Sequence, residues 1–286
     1  MTSAAQPRGG GLGVSPGAPG AVSIVGQIAK ADARRRLRFR VIFAATWALL
    51  IGGLIVALAA AEAIDLAFLQ RGPPWWRFIL DGAWLTIVIS LAAILLATGF
   101  ALLGALGRLS SSAPVYAVAT LYVSLVRGTP LLVQILFIWL ALPQIWKGFG
   151  TIDALIMGTF ALAFNYGAYM TEIFRAGIQA VPRGQREAAA ALGMSERRIF
   201  ARIVLPQAFR IVIPAIGNEF IAMIKDTSLL TVIGVQELLW RARTVGSQHF
   251  RMLETLLLAA LVYWVLTIMF SYLQEWLERR MARSDR

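Results

Sequence analysis

The chain has 286 residues, 58% of them hydrophobic and only 15% charged, with no cysteine, a single histidine and a formal net charge of +12. Water-soluble domains keep about a quarter of their residues charged so that the surface can meet water, so most of this chain is expected to meet lipid. The absence of cysteine removes disulfides, thiolate nucleophiles and Cys-based zinc or iron sites, and a lone His249 removes any two-histidine metal centre. No catalytic and no metal-ligating set is expected.

Residues 1–40 are expected to form a disordered basic tail. The first 30 are rich in Gly, Ala, Pro and Ser without any helical or alternating period, so ordering them would bury too little surface to offset the entropy lost. The tail ends in Arg34, Arg35, Arg36, Arg38 and Arg40, directly before an apolar stretch expected to cross the membrane as an N-terminal helix over residues 41–62. About 20 residues at about 1.5 Å each cover a hydrocarbon core of roughly 30 Å. A cleaved signal peptide is the competing reading, since Ala59, Ala61 and Ala63 offer small-residue sites. Its apolar region would exceed the roughly 7 to 15 residues usual for such peptides.

Further apolar stretches lie at residues 84–106, 129–143, 152–174, 209–233 and 255–273, giving about six spans in an all-α integral membrane protein. Arg127 and Pro130 interrupt the third, and residues 114–126 ahead of it are expected along the inner interface. The fifth carries Pro214, Asn218, Glu219, Lys225 and Asp226, so its outer half is expected to be bent or unwound where protein replaces lipid. Small faces at Gly52, Gly53, Gly99, Gly104, Gly158 and Gly167 are expected to let helices approach closely.

Orientation follows from Lys and Arg, which are retained on the cytoplasmic side. Basic segments precede span one, follow span two (Arg108, Arg127), separate spans four and five, and follow span six (Arg279, Arg280, Arg283). That alternation places both termini in the cytoplasm. Opposite loops hold Glu62, Asp65, Asp81 and Asp153, with Trp75, Trp76 and Trp146 as interface anchors; Arg241, Arg243 and Arg251, in an outer loop with His249, dissent. The basic excess reads as a topology signal with contact to membrane lipid, and no nucleic-acid partner is expected.

The most informative stretch is residues 177–207, GIQAVPRGQREAAAALGMSERRIFARIVLPQ. Pro182 and Gly184 end one element, residues 185–192 are strong helix formers, and Gly193 can take the positive φ that stops a helix. Ser195 can cap a second helix, with Ile199, Phe200, Ile203 and Val204 at helical spacing before Pro206 begins the membrane entry. A helix, turn and helix under the membrane is expected. A short helix of alanines can enter a groove on another protein and transmit a push, with Glu187 as a charged contact; composition alone would equally allow a solvated, helix-favouring loop.

Here the residues resemble a known family. Glu187, Ala188, Ala189, Gly193, Ile203, Leu205 and Pro206 match without gap the EAA pattern of ATP-binding-cassette (ABC) importer permeases, and RGTPLLVQ from Arg127, AYMTEIFRAGIQAVPRGQ from Ala168, LPQAFRIVIPAIGN from Leu205 and KDTSLLTVIGVQEL from Lys225 are similar to its polar amino-acid branch. The resemblance implies a five-helix type I importer permease core over residues 80–280, with one extra N-terminal helix. It implies a polar amino acid as cargo, moved across the inner membrane by alternating access. It also implies a second permease subunit, the same or homologous, an extracytoplasmic amino-acid-binding protein, and ABC ATPase subunits docking on Gly184, Gln185, Glu187, Ala188, Ala189 and Gly193. The only lysines, Lys30, Lys147 and Lys225, fall in no GxxxxGK[ST] pattern, so ATP and Mg are expected in the ATPase partner and no cofactor on this chain.

Ionisable groups within a bilayer are costly and often mark a substrate route. Asn165, Tyr169 and Glu172 share one helical face, either as path or as glue between helices, and Glu172 can pair with Arg175 three residues on. Asn218, Glu219, Lys225, Asp226, Thr227 and Ser228 could compensate both charges of a zwitterionic amino acid, or could hold a broken helix together. Pro214, Asn218, Ile221 and Lys225 follow one stripe and Glu219, Met223 and Asp226 its neighbour, so both signs of charge are expected to face about the same way. The rival reading is an ion-coupled secondary transporter using Glu172, Glu219 and Asp226 as a relay.

Overall fold

The structure, a computed structural model, describes residues 19–60, 64–70 and 72–282, and the chain falls into two compact units, residues 1–64 and 65–286. The first unit is one helix, α1 (Pro19–Ala60), exposed along its described side chains from Arg34 to Leu50. It corrects the expected tail: residues 19–40 are helical. Residues 29–40 are mostly Ala, Arg, Leu and Lys, good helix formers with no Pro or Gly between them and the apolar stretch, and elongation of an existing helix is cheap compared with nucleation. Residues 1–18, and the expected end of the span at 61–62, lie outside the described residues.

The second unit begins with a short helix, α2 (Leu66–Gln70), and the long α3 (Pro73–Arg108). Next come α4 (Ala113–Arg127) and α5 (Leu131–Leu136), joined at Pro130, whose extended backbone (ψ 138°) ends the run before it. A π turn (Phe137–Ala141), α6 (Leu142–Ile145) and a 3-10 turn (Lys147–Thr151) lead to α7 (Ala154–Gln179). After α8 (Arg183–Ala191) the chain forms α9 (Glu196–Ile199), a π turn (Phe200–Val204), α10 (Leu205–Asp226) and a 3-10 segment (Thr227–Ile233). It closes with α11 (Leu238–His249) and α12 (Met252–Ala282).

Four helical runs are long and apolar enough to cross a membrane: Arg34–Leu58, Pro74–Arg108, Glu196–Ile233 and Met252–Met281. A fifth is reached if Ala113–Arg127 and Leu131–Ile145, bent by 108°, make one broken span. A count of six therefore rests on α7, which is long enough but carries Asn165, Tyr166, Thr171 and Glu172. Its position explains its polarity. Fourteen of its 26 residues are buried, Asn165, Tyr166 and Thr171 among them, so most of its polar groups meet protein rather than lipid.

Helix α3 supplies the ridge on which α7 lies. Ala93, Ala97, Ala101 and Ala105 recur every fourth residue and are all fully buried, packed in one core with Met157, Ala161, Leu162 and Met170 of α7. The two helices run parallel. A methyl group at Gly167 would fall 2.5 Å from Phe100 Cβ and 2.7 Å from Tyr122 Oη, so α3 and α4 both approach its bare backbone. Gly99 makes no such approach within the second unit, since a methyl there would meet nothing within 4 Å. Helix α10 runs antiparallel to α7: Tyr166 reaches Asp226 at one end, while Gly177 packs on Val212 toward the other.

Two prolines explain two irregularities. Pro143 and Pro206 each stand two residues beyond a π turn. A proline lacks the N–H for the ladder and its ring crowds the preceding turn, and a π bulge widens the helix where that crowding falls. Pro206 therefore does not begin a separate membrane entry. Glu196 to Ile233 is one continuous helical run, correcting the expected second helix under the membrane. Tightening to 3-10 geometry starts at Thr227 and stops at Gly234, whose φ of 83° is left-handed. Of the cations expected in an outer loop, Arg241 and Arg243 lie on the helix α11 and Arg251 follows it. Arg241 donates to Phe78 O at 3.0 Å and lies over the Phe78 ring, and Arg251 pairs with Asp65 at 2.6 Å.

Gly167→Val should lower stability by roughly 1–3 kcal/mol through overpacking against Phe100 and Tyr122. Denaturant titration in mixed micelles measures it; an unchanged midpoint would contradict the close contact.

Candidate functional site

The segment around Glu187 forms a short helix with two different faces. Ala189 is buried in a small cluster with Ile178, Val181, Ile199, Val204 and Ala208, which ties α8 to the ends of both α7 and α10. Gly184, Gln185, Glu187, Ala188 and Gly193 are exposed, and Leu192 is 84% exposed. The helix stops as expected: Gly193 has φ 76°, its N–H bonds Ala190 O at 2.9 Å, and Met194 N–H bonds Ala189 O at 3.2 Å. That pair of bonds is the Schellman arrangement, which needs a left-handed residue at this point. Gln207 donates to Gln185 at 2.5 Å and Arg186 lies 3.8 Å from Glu196, fastening α8 to the run that becomes α10.

On α7, the expected stripe divides. Asn165 is buried and donates to Gln134 Oε1 at 3.1 Å, while Gln134 Nε2 donates to Val126 O at 2.8 Å and Thr129 Oγ1 at 2.8 Å. Those bonds span the break between α4 and α5, where the last carbonyls of α4 have lost their helical partners. Tyr169 is partly exposed beneath the Arg127 guanidinium, 5.3 Å from the ring centroid. Glu172 pairs with Arg175 at 2.7 Å and with Arg108 of α3 at 3.4 Å, and Arg108 also donates to Thr120 of α4 at 2.8 Å.

The polar residues of α10 divide as well, against the expectation that both signs of charge face one way. Asp226 points at α7, where it accepts from Tyr166 Oη at 2.8 Å. Lys225 is exposed on the α12 side. It lines an open groove of about 600 Å³ with Ser228, Tyr263 and Trp264, and another of about 630 Å³ with Asn218, Ser271 and Glu278. Asn218 accepts from Gln274, which also donates to Pro214 O at 3.1 Å. Ser228 donates to Lys225 O at 2.6 Å, and buried Thr227 to Ile224 O at 2.8 Å. Glu219 is partly buried. A further cleft of about 700 Å³ between α3, α4 and α7 is almost wholly apolar and contains none of the expected residues.

The family described as "Binding-protein-dependent transport system inner membrane component" matches residues 97–283. The chain belongs to that family. The L-cystine transport system permease protein TcyB of Bacillus subtilis (strain 168) is 37% identical to it over 228 residues, 79% of this chain and 95% of TcyB. The arginine transport system permease protein ArtQ of the same organism is 36% identical over 212 residues, 74% of this chain and 96% of ArtQ. Among solved structures, an amino acid ABC transporter with histidines superposes with a TM-score of 0.69 at 38% identity, covering 76% of this chain and 99% of that one. The chain is thus a membrane transport subunit and not an enzyme.

One residue of this permease escaped the sequence reading. Glu237 is fully buried, yet its carboxylate faces neutral donors: Tyr263 Oη at 2.5 Å, Thr231 Oγ1 and Trp240 N–H at 2.9 Å each, and Thr86 Oγ1 at 3.5 Å. It caps α11 and joins it to α3, the 3-10 segment and α12. A Glu ahead of Leu-Leu-Trp is a usable capping signal in the sequence, but donors 151 residues before and 26 residues after it are not. Glu237→Leu should cost roughly 3 kcal/mol by stranding several donors, and Glu237→Gln clearly less. Equal unfolding midpoints for the two variants would show that shape rather than hydrogen bonding holds this junction.

Proposed function

We propose that this chain is the membrane-spanning permease subunit of an ATP-driven ABC importer that moves a polar amino acid across the cytoplasmic (inner) membrane by alternating access. The observation that carries the reading is the extent of the likeness: the cystine and arginine permeases match over 95% and 96% of their own lengths. An extracytoplasmic binding protein delivers the amino acid, and a second permease subunit, the same or homologous, completes the path. ABC ATPase subunits hold ATP and Mg, and this chain holds neither. Both termini are cytoplasmic, following the distribution of Lys and Arg.

Force enters at α8. Gly184, Gln185, Glu187, Ala188 and Gly193 form the face offered to the ATPase, whose small side chains suit a groove, and Ala189 fastens the helix to α7 and α10. ATP binding closes the ATPase pair, draws the α8 helices together and opens the path outward; hydrolysis and product release reset it. The apolar contacts of Ala189 and the exposed Leu192 beside it support this role.

The amino acid passes Asn218, Glu219, Lys225, Asp226, Thr227 and Ser228, with Asn165 and Tyr169 on the facing helix. A zwitterion leaving water needs a cation for its carboxylate and an anion for its ammonium. Lys225 supports the assignment, because an ammonium held toward lipid in an apolar helix costs about 2.5–3.5 kcal/mol, so water, substrate or protein is the better neighbour for its groove. The ion-coupled alternative is not favoured by the family. Its relay is also short of free carboxylates, with Glu172 between two arginines and Asp226 bonded to Tyr166.

Glu187→Lys and Gly193→Pro should leave membrane insertion intact but abolish most uptake while ATP hydrolysis continues, since proline cannot take the positive φ at Gly193. Normal ATP-driven uptake in vesicles by both variants would remove α8 from the mechanism. Lys225→Met should raise the KM for the transported amino acid far more than it changes basal ATPase; an unaltered KM would place the path elsewhere.

A further inference from the structure

The turn between α11 and α12 displays a side chain that neither its backbone nor water favours. Phe250 ends α11 with φ 55° and ψ 37°, the one non-glycine residue of positive φ among those described. Glycine takes this left-handed closing position without strain, whereas a bulky side chain crowds it. Its ring is also 93% exposed. Fold and solvent would both be better served by glycine or asparagine, so the phenyl group is there for some other contact.

The residues on either side are held. The His249 ring lies 5.5 Å from that of Phe68, which stacks on Trp75 at 4.6 Å. Arg251 pairs with Asp65 at 2.6 Å and donates its N–H to Gly246 O at 2.9 Å. Glu254, buried beneath the turn, accepts the Asp65 N–H at 3.0 Å. The phenyl group is the most exposed large hydrophobic side chain among the described residues and stands on a fixed support, which removes most of the ordering cost of a contact made through it. Arg243 is exposed on the same short helix, and the Arg251 side chain is 42% exposed.

We propose that Phe250 is the anchor by which the permease engages its soluble binding protein. The ring enters an apolar pocket on that protein, and acidic side chains at the pocket rim meet Arg243 and Arg251. A lipid surface has no pocket to match, so it would not require a phenyl group fixed on a strained and pinned backbone; a shaped protein partner does. This assignment rests on the importer reading and on the α11–α12 turn facing outward.

The test uses the whole complex with its ATPase in nanodiscs, titrated with the binding protein that stimulates the wild type. Phe250→Gly should unfold at the same or a higher temperature and keep its basal ATPase, while the half-stimulating concentration of binding protein rises roughly 30-fold, as for a central aromatic contact. Phe250→Trp should stay within a few-fold of the wild type. An unshifted half-stimulating concentration in Phe250→Gly would overturn the proposal, as would quenching of the introduced tryptophan by brominated lipid in the bound complex. Failure of any amino-acid-loaded binding protein to stimulate the wild type would sink the importer reading as well; normal stimulation with an unaffected glycine variant sinks this inference alone.

Discussion

The contact between α3 and α7 is the constraint on which the rest of the second unit depends. Lipid tails are as apolar as leucine, so two helices gain little from hydrophobic burial inside a bilayer and must associate through close van der Waals contact and polar links. Ala93, Ala97, Ala101 and Ala105 give α3 a flat ridge, and Gly167 bares the opposing backbone. That closeness lets α7 sit enclosed by protein. Only an enclosed helix can carry Asn165, Tyr166 and Thr171 at such depth, and those residues then do the remaining joining: Asn165 through Gln134 to the α4–α5 break, and Tyr166 to the end of α10. The polar interior follows from the apolar ridge.

What the sequence disclosed depended on how local each cause is. The α8 segment was legible because its helix formers and its stop at Gly193 lie within ten residues and its EAA spacing within twenty. The interruption at Pro130 was legible for the same reason, although the 108° bend it makes between α4 and the helices after it was not. The alanine ridge was not. Helix α3 is apolar on every side, so no periodic contrast separates the face that meets α7 from the one that meets lipid. Nor were the hydrogen-bond partners of Asn165, Asn218 and Asp226 legible, because they come from segments 31 to 60 residues away.

The π turn at Phe200–Val204 matters for how motion would travel through the permease. It accommodates Pro206 within the run from Glu196 to Ile233, so α8 is not tied to a short, separate helix that could tilt by itself. With the bulge, one continuous element joins the residues beneath α8 to Thr227 at its far end. Ala189 packs against Ile178 and Val181 at the end of α7 as well as Val204 and Ala208. A displacement of α8 therefore acts on two antiparallel helices at once. Because interiors of this density resist compression, the displacement is more readily passed along them than absorbed.

Lys225 and Glu237 show how differently two ionisable groups can be treated twelve residues apart. Glu237 is sealed from solvent and surrounded by hydroxyl and N–H donors from several helices, so its charge is met by fixed dipoles that do not need to move. Such a group belongs to the framework, and any motion that pulled α3, α11 or α12 away from it would leave a buried carboxylate short of donors. Lys225 stands exposed on a groove beside Ser228 and Trp264, and no ion pair among the described residues involves it. The second groove that Lys225 lines also carries Glu275 and Glu278, so carboxylates stand in the same opening without being fixed to that ammonium. Rigid satisfaction of one charge and open exposure of the other, within one stretch of chain, separate a group that holds helices together from one that stays accessible.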